Sequence, residues 1–492
     1  MKKPLICCLA ILLIIATLAG CGPADPAPTP GATTVTTQPT TGPVRDEAYY
    51  LNTVYAAQIR RYYTAVMDLW DIGMYLENGM SPLPVNYCAG NPLENVGFGL
   101  VDLDGDGVWE LIIGATKDHA VFEIWTMENG APVMLAQSGS DNRYLLLRTQ
   151  EQTWQIVNEA TNNIASFATY YMTLEGGKLK VVQGVVFDAF ADEENPWFLT
   201  KDLDWDVSND TPIDEETAND ILDSNQLLYA IPEYTAYCHY PSGETPVTPQ
   251  QQLSERMQAL SQRFGLDIRI PKQNEISYAR YHADALTDLI AIRTALDLLE
   301  QTLSLYPEGF FRQLPYDAIQ SIRVELVGEI SIKEDAAADT GAAGAFTANM
   351  GEYYLVVLNG LFLEQKTIFH EFSHMIDSRI SWDAATRDDA LFSEKAWLAL
   401  QPKGFQYAMS YVTIPDKLLS FLEGDDFVYY YSLTYPTEDR AVLMEEAMAQ
   451  TQDLFAAGSG RRAKMQFYAD CIRDCFDTTL WPETTFWEQV LV

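Results

Sequence analysis

The sequence predicts an α+β protein whose N-terminal part is rich in β-strands and whose C-terminal part is mostly helical with a small sheet. From about 85 to 245, short runs of alternating apolar and polar residues are separated by turn residues, a pattern typical of strands and hairpins. After 251, apolar residues recur at helical spacing, as in the stretch 278–305. Two short apolar runs in this half, "SIRVELVG" and "EYYLVVLNG", predict the strands of the small sheet.

The composition is typical of a folded protein and excludes one class of partner. The chain has 492 residues, 48% of them apolar, which is enough for two or three domains with cores of their own. Its 69 acidic residues outnumber its 31 basic residues, and the formal net charge is −38. Because nucleic-acid phosphates are bound by basic surfaces, we expect no nucleic-acid partner.

The N-terminus has the layout of a secretory signal. In "MKKPLICCLAILLIIATLAGC", two lysines, an apolar run and small residues precede Cys21. The "LAGC" ending resembles the lipobox of bacterial lipoproteins, which implies removal of residues 1–20 and lipidation of the Cys21 thiol. The alternative is an ordinary N-terminal membrane anchor. Residues 21–45, rich in Pro and Thr, predict a flexible tether that holds the protein at the extracytoplasmic face of the cell membrane.

Two domains are expected after the tether. The first covers 46–250 and opens with a helix over 46–78, where tyrosines and aliphatic residues recur every three or four positions. The polar, Pro-containing stretch "SGETPVTPQQ" at 242–251 marks the expected boundary. The second domain covers 251–492. Its further helices are expected at 361–380, 438–456 and 461–475.

An extracytoplasmic location permits disulfides among the cysteines that follow Cys21. Cys88 and Cys238 flank the β-rich region, and the sequence leaves open whether they pair. Cys471 and Cys475 lie one helical turn apart, a spacing that seldom closes without strain, so we expect two free thiols there.

Alternating acidic residues in "VDLDGDGVWELIIG" predict a calcium site. The acidic side chains are Asp102, Asp104, Asp106 and Glu110. If the loop turns, they converge on one point, and carboxylates so close together repel unless a hard cation lies between them. An EF-hand needs a glutamate at loop position 12, where this chain has Ile113. The loop resembles the calcium loops of FG-GAP-type or dockerin-like secreted modules, which implies a structural ion; the alternative is a solvated acidic turn.

The stretch "TIFHEFSHMID" predicts a metal centre. On a helix, His370 and His374 lie one turn apart on the same face, so both imidazoles can reach one ion. A glutamate directly after the first histidine completes the zinc-peptidase pattern, in which Glu371 acts as general base on a water in the open coordination position. The alternative is a pair of core histidines and a solvated glutamate. We favour the metal because buried imidazoles need partners.

A third protein ligand must come from elsewhere in the chain, and a carboxylate is the expected type. The metzincin arrangement fails because Asp377 and Ile380 stand where it needs a glycine and a further ligand. Glu394 lies twenty residues after His374, a spacing that suits a thermolysin-like site. The candidates that remain are Glu394, Glu438, Glu445 and Glu446.

The region from about 260 to 490 resembles the gluzincin peptidases related to anthrax lethal factor and the Pro-Pro endopeptidases. The matching stretches are "TIFHEFSHMID" and "YYSLTYPTEDRAVLMEEAMA". In the second, Tyr431 precedes Glu438 by seven residues, as in that family, which implies that Glu438 is the third zinc ligand and that Tyr431 stabilises the oxyanion. The family has a second acidic residue one turn after the ligand, where this chain has Val442. Asp439 is then the expected acid that orients a histidine.

These features predict a lipid-anchored zinc metallopeptidase that hydrolyses a peptide or protein substrate. The alternative is a surface binding lipoprotein, in which the β-rich domain recognises a ligand and the peptidase site is inactive. The strand "EYYLVVL" at 352–358 either borders the cleft and pairs with an extended substrate or is an ordinary internal strand.

Overall fold

The computed structural model describes residues 46–192, 194–240, 247–333 and 344–492. The predicted signal peptide, Cys21 and the tether lie outside these ranges, and so does part of the expected boundary at 242–251. Residues Asp46–Val492 group into one unit by their contacts. Within the described ranges, none of the helices combines the length and the apolar character needed to cross a membrane.

Several short helices open the described chain, so the prediction of one helix over 46–78 is wrong. They are α1 (Glu47–Tyr49), α2 (Ala56–Met67) and α3 (Ile72–Glu77), and a π-helical turn (Tyr50–Val54) follows the first. The break before α3 has a local cause. The backbone turns left-handed at Leu69, with a φ of 51°, and the Asp71 carboxylate then caps a new helix by accepting the Met74 N–H at 2.9 Å.

An antiparallel sheet of eleven strands dominates the N-terminal part, as the alternating sequence pattern predicts. Its strands are β1 (Val96–Val101), β2 (Glu110–Ala115), β3 (Val121–Glu128), β4 (Ala131–Gln137), β5 (Asn142–Arg148), β6 (Trp154–Asn163), β7 (Ser166–Glu175), β8 (Lys178–Asp188), β9 (Trp197–Thr200), β10 (Thr211–Pro212) and β11 (Thr235–Ala236). They follow the spatial order β10-β9-β8-β7-β6-β5-β3-β2-β1-β11, and β4 pairs with β3. Two further helices of this part are α4 (Pro92–Asn95) and α5 (Glu215–Gln226). Each face of the sheet buries its own core, since Leu111 and Ile113 pack with α2 while Ile112 joins a second cluster.

The C-terminal part is mostly helical, as predicted. Its helices are α6 (Pro249–Phe264), α7 (Leu289–Leu303), α8 (Gln365–Thr386), α9 (Glu394–Ala399), α10 (Asp416–Leu419), α11 (Pro436–Met448) and α12 (Gly460–Cys475). The helix expected over 278–305 begins only at Leu289, because Asp288 caps it by accepting the N–H groups of Ile290 and Ala291. A 3₁₀ turn, Tyr430–Leu433, lies shortly before α11.

The small sheet of this part has four strands in the order β12-β14-β17-β16, and β13 pairs separately with β15. The bounds are β12 (Asp267–Arg269), β13 (Tyr281–Ala283), β14 (Ser321–Val327), β15 (Ile330–Ile332), β16 (Ala345–Asn349) and β17 (Tyr353–Asn359). The strand predicted at 352–358 is β17, and it is internal: it pairs with β14 in parallel and with β16 antiparallel. The edge strand β16 instead contacts helix α8.

One large core fixes the two helices that carry the candidate site. Ile368, Phe369 and Phe372 of α8 are fully buried in it. Leu443 and Met444 of α11 are buried in the same cluster. Helices α8 and α11 therefore pack directly against each other, which brings residues distant in sequence to one place.

The four cysteines of the described ranges form no disulfide. Cys88 and Cys238, whose pairing the sequence left open, are separate thiols, and Cys471 and Cys475 are free, as predicted. Burial raises the pKa of the Cys88 thiol to about 12, which keeps it protonated and weakly nucleophilic.

Candidate active site

Helix α8 presents His370 and His374 on one face, as the sequence predicts. The opposite side of the helix is buried in the core, which fixes the direction in which the histidines point. Because the two residues are four apart, their imidazole centroids lie only 4.9 Å from each other. Both side chains line a cleft and remain partly exposed.

Glu438 completes a group of three potential metal ligands. It lies in the first turn of α11, shortly after Pro436 begins that helix. Its Oε2 atom is 3.1 Å from Nε2 of His370 and 3.3 Å from Nε2 of His374. Ligand atoms of the three residues all lie within 4.8 Å of one another. Of the four glutamates that the sequence left open, all of them in the described ranges, Glu438 is the one that joins both histidines.

Two of the other candidate glutamates form ion pairs with basic side chains away from the histidines. Glu394 is half exposed, and its carboxylate lies 3.4 Å from Nη1 of Arg440. Glu446 lies 2.7 Å from Nζ of Lys366 and accepts a hydrogen bond from the Thr451 hydroxyl at 2.6 Å. Both carboxylates are therefore engaged away from the pair of histidines.

Glu445, two helical turns after Glu438, lies against the first histidine. Its Oε2 atom is 3.0 Å from Nδ1 of His370, the ring nitrogen that does not face Glu438. Val442, at the position where the resembled family has an acid, is buried and apolar. The second carboxylate in contact with His370 comes from the next turn of the same helix, because positions seven apart share a helix face.

The prediction that Asp439 orients a histidine is wrong. Asp439 is fully buried, and its carboxylate pairs with Nζ of Lys464 on α12 at 2.8 Å. The same carboxylate accepts a hydrogen bond from the Tyr407 hydroxyl at 2.7 Å. Adjacent residues of a helix point about 100° apart, so Asp439 cannot share the direction of Glu438.

Electrostatics favour a positive charge at the centre of this group. Both ring nitrogens of His370 face carboxylate oxygens, one from Glu438 and one from Glu445. Burial lowers the pKa of His370, but hydrogen bonds to Glu438 and Glu445 outweigh it and raise the pKa to about 10. Burial also raises the pKa of Glu438, while its bonds to the two histidines dominate and hold that pKa well below its usual range. A divalent cation would supply the positive charge that a proton on His370 supplies here. Two imidazoles and one carboxylate are donors that zinc prefers, so the residues fit zinc.

Glu371 follows the first histidine and lines the same cleft. The hydroxyl of Thr347, on edge strand β16, donates to its Oε2 atom at 2.6 Å. Within the described ranges, its Oε1 atom has no hydrogen-bond partner. One oxygen of the carboxylate is thus held in place while the other is left for a proton transfer.

Tyr431, in the 3₁₀ turn before α11, lies beside the histidines. Its ring centroid is 5.8 Å from that of His370. Burial raises the pKa of Tyr431 above its usual range, so the hydroxyl stays protonated and able to donate. No described residue accepts a hydrogen bond from it. Of the neighbouring tyrosines, Tyr430 is 57% exposed, and Tyr429 donates to Glu445 at 3.5 Å.

Tyr411 belongs to the site and was missed by the sequence reasoning. It lies in the segment between α9 and α10, and its hydroxyl donates to Oε1 of Glu438 at 2.7 Å. Its ring stacks on that of Tyr431 with centroids 5.8 Å apart. The surrounding stretch "YAMSYVTIP" has neither a periodic pattern nor a motif, so no sequence signal identifies this residue.

The site opens into a cleft of about 390 Å³. Edge strand β16 borders it with Phe346 and Thr347. Tyr278, shortly before β13, and Tyr281, the first residue of β13, also line it, and the Tyr281 ring stacks on Phe346 with centroids 4.3 Å apart. The cleft has the size and the aromatic lining of a binding pocket, with the histidines and Glu438 among the residues that line it.

The acidic loop before β2 brings together three of its four predicted ligands. The group consists of Asp102, Asp104 and Asp106, whose oxygens lie within 4.8 Å of one another. Glu110 is not part of it. As the first residue of β2 it is buried, and its carboxylate accepts from the Leu103 N–H at 3.0 Å and the Thr126 hydroxyl at 2.8 Å. Burial raises the pKa of Glu110 to about 7, although both of these hydrogen bonds act in the opposite direction.

The three aspartates also serve the backbone of their own loop. Asp102 accepts hydrogen bonds from the N–H groups of Gly105 at 2.8 Å and Gly107 at 3.1 Å. Both glycines have positive φ angles, of 77° and 85°, which permit the tight turn. Asp104 and Asp106 each accept from the N–H two residues further on. Carboxylate oxygens are the ligands that calcium prefers, so the donor chemistry fits that ion as well.

Comparison of the chain with known protein families, with curated proteins and with solved structures finds no match.

Proposed function

We propose that this chain is a zinc-dependent endopeptidase. The observation that carries the proposal is the convergence of two imidazole nitrogens and one carboxylate oxygen in a cleft that also holds a general base and a hydroxyl donor. These residues are His370, His374, Glu438, Glu371 and Tyr431.

The proposed mechanism divides peptide hydrolysis among these side chains. His370, His374 and Glu438 would hold a zinc ion, which would supply the Lewis acid that lowers the pKa of a water and polarises the scissile carbonyl. Glu371 accepts the proton of the attacking water and passes it to the amine that leaves when the C–N bond breaks. Tyr431 donates a hydrogen bond to the oxyanion. Glu445, bonded to Nδ1 of His370, holds that imidazole in the orientation that binding needs.

The proposed substrate is an extended peptide paired with edge strand β16. In the described ranges, β16 pairs with β17 on one side and with no strand on the other. Its free N–H and C=O groups can therefore add a further strand, and Phe346 and Thr347 line the cleft from this strand. Because Thr347 also bonds Glu371, a peptide on this edge lies next to the general base.

The experiment that tests the proposal uses Glu371→Gln. Glu371 is not a zinc ligand in this scheme, so the variant should keep one equivalent of zinc and lose roughly 10²–10⁴-fold in hydrolysis of a peptide library. Zinc content is measured by mass spectrometry and cleavage by sequencing the products.

Glu394→Gln is the matched control, because it makes the same chemical change at a half-exposed carboxylate outside the site. It should keep both zinc and activity. Full activity in Glu371→Gln, or a wild-type chain that binds no zinc, contradicts the proposal.

The proposal includes a location and a second ion. Lipidation of Cys21 would anchor the protein at the extracytoplasmic face of the cell membrane, with residues 21–45 as tether. Calcium at Asp102, Asp104 and Asp106 would be structural, supported by the closeness of the three carboxylates.

A further inference from the structure

Tyr411 is carried to the candidate metal site by a segment that is tied to the residues just before α11. The N–H of Ala408 donates to the carbonyl of Leu433 at 2.9 Å, and the N–H of Met409 donates to that of Thr434 at 2.8 Å. Tyr435 adds a third tie, since its hydroxyl donates to the Met409 carbonyl at 2.9 Å. These bonds lie two or three residues before Tyr411 and fix the backbone that leads to it.

The two oxygens of Glu438 have different partners. Oε2 faces Nε2 of both His370 and His374, at 3.1 and 3.3 Å. Oε1 accepts the hydroxyl hydrogen of Tyr411 at 2.7 Å. Glu438 is only 4% exposed, so water has little access to satisfy Oε1 if the tyrosine hydroxyl is removed.

A carboxylate can bind a metal through one oxygen or through both. With both, a site of two histidines and one glutamate offers four donor atoms, and a bound water raises the coordination number to five. With one, it offers three donors and keeps the fourth position that a hydrolytic site needs. A hydrogen-bond donor on Oε1 therefore favours the four-coordinate arrangement, in which the glutamate gives one oxygen and a water takes the fourth position.

We propose that Tyr411 is a positioning residue that engages Oε1 of Glu438, so that this glutamate presents a single oxygen to the metal. The inference rests on the proposed zinc-dependent function. The two stacked tyrosines then have different roles. The Tyr411 hydroxyl donates to Glu438, whereas the Tyr431 hydroxyl has no acceptor among the described residues and is available to the substrate.

The test is cobalt substitution of the full chain with Tyr411→Phe. The phenyl ring keeps the stacking on Tyr431 and the tilted contact with Tyr435, so the fold should persist, and a thermal melt checks this. Four-coordinate cobalt(II) absorbs visible light more strongly than five-coordinate cobalt(II). We expect a four-coordinate spectrum for the wild type and an absorbance per bound cobalt that is roughly twofold or more lower in Tyr411→Phe, at unchanged stoichiometry.

Tyr435→Phe is the matched control. It removes a hydroxyl that ties the Tyr411 segment to the residues before α11 without touching Glu438, and its spectrum should equal that of the wild type because two backbone hydrogen bonds still hold the segment. An unchanged spectrum in Tyr411→Phe overturns the inference, as does loss of cobalt binding in that variant, because the proposed role concerns coordination number and not occupancy. An equal change in Tyr435→Phe overturns it as well, since placement of the segment would then be the cause.

The experiment separates this inference from the proposed function. A wild-type chain that takes up neither zinc nor cobalt contradicts both. A wild-type chain that binds one cobalt in a four-coordinate site, with Tyr411→Phe giving the same spectrum, contradicts only the role of Tyr411.

Discussion

Two groups of candidate metal ligands lie in different parts of the molecule, and within each group the ligand atoms are at most 4.8 Å apart. The two groups differ in what balances the charge of their carboxylates. The histidine site consists of His370, His374 and Glu438. The aspartate loop consists of Asp102, Asp104 and Asp106. In the histidine site, a largely buried imidazole lies between two carboxylates, so a proton or a cation must supply positive charge. In the aspartate loop, the carboxylates bond their own backbone N–H groups and meet solvent.

Closeness of candidate ligands indicates a metal less strongly than the burial of carboxylates whose negative charge is not balanced. Solvent and backbone donors can stabilise exposed carboxylates in the absence of an ion. The carboxylates around His370 are largely shielded from solvent, and their hydrogen bonds with the imidazoles shift the pKa values of His370 and Glu438 against the effect of burial. Changes at the histidine site should therefore have larger effects than changes at the aspartate loop.

The largest effect is expected for Glu438→Ala. Loss of a direct ligand should lower zinc affinity by more than roughly 100-fold, beyond the range typical of residues that act through a ligand. Asp104→Ala, which removes a carboxylate from the aspartate loop, should leave zinc content unchanged. Mass spectrometry after dialysis measures both variants. A full equivalent of zinc in Glu438→Ala would mean that the third ligand is another residue.

Tyr431→Phe should lower kcat by roughly 100-fold, because a lost oxyanion donor costs about 3 kcal/mol in the barrier. Zinc content should not change, since Tyr431 is not a ligand. Tyr430→Phe, which alters a mostly exposed neighbour, is the control and should behave as the wild type. Wild-type turnover in Tyr431→Phe would remove this residue from the mechanism.

Glu445→Ala should weaken zinc binding by roughly tenfold, because His370 loses the acceptor for its Nδ1–H group. Glu445→Gln should have a smaller effect, since the amide oxygen can still accept that hydrogen bond. Competition with a chelator gives the affinities. Equal affinities for wild type and Glu445→Ala would show that the contact does not act on the metal.

The smallest effect is expected at the aspartate loop. At fixed zinc, saturating calcium should raise the thermal midpoint by roughly 5 °C, since binding to the folded state alone stabilises it by mass action. Asp104→Ala should remove this shift. An identical midpoint with calcium and with a calcium chelator would leave the loop as a solvated acidic turn and would widen the contrast between the two groups.

Local patterns were sufficient to predict much of the fold. Alternating residues predicted the large antiparallel sheet, and helical spacing predicted a helix around His370 and His374. The continuous helix over 46–78 failed because periodicity does not reveal a left-handed residue such as Leu69. Edge strand β16 was missed because its five residues, four half-buried and one exposed, carry too little apolar signal, and the sequence therefore left open whether its partner β17 is internal.

The sequence likewise predicted one part of the candidate site and not the other. Helix geometry alone places His370 and His374 on one face, because residues four apart always share it. The third ligand and its companions depend on how α8 packs against α11: Glu438 and Glu445 face the histidines, while Asp439, one position away, is buried against Lys464.

The sequence by itself determined the chemistry of the candidate ligands on α8, since the residue types and their spacing within one helix are local properties. Only the tertiary structure decided which distant side chains complete that chemistry. Tyr411 reaches Glu438, and Thr347 reaches Glu371, through packing between elements far apart in the chain. Glu110 was lost from the aspartate loop for the same reason, because its strand carries the side chain into the core. Such contacts follow from long-range burial, for which a single sequence holds no periodic signal.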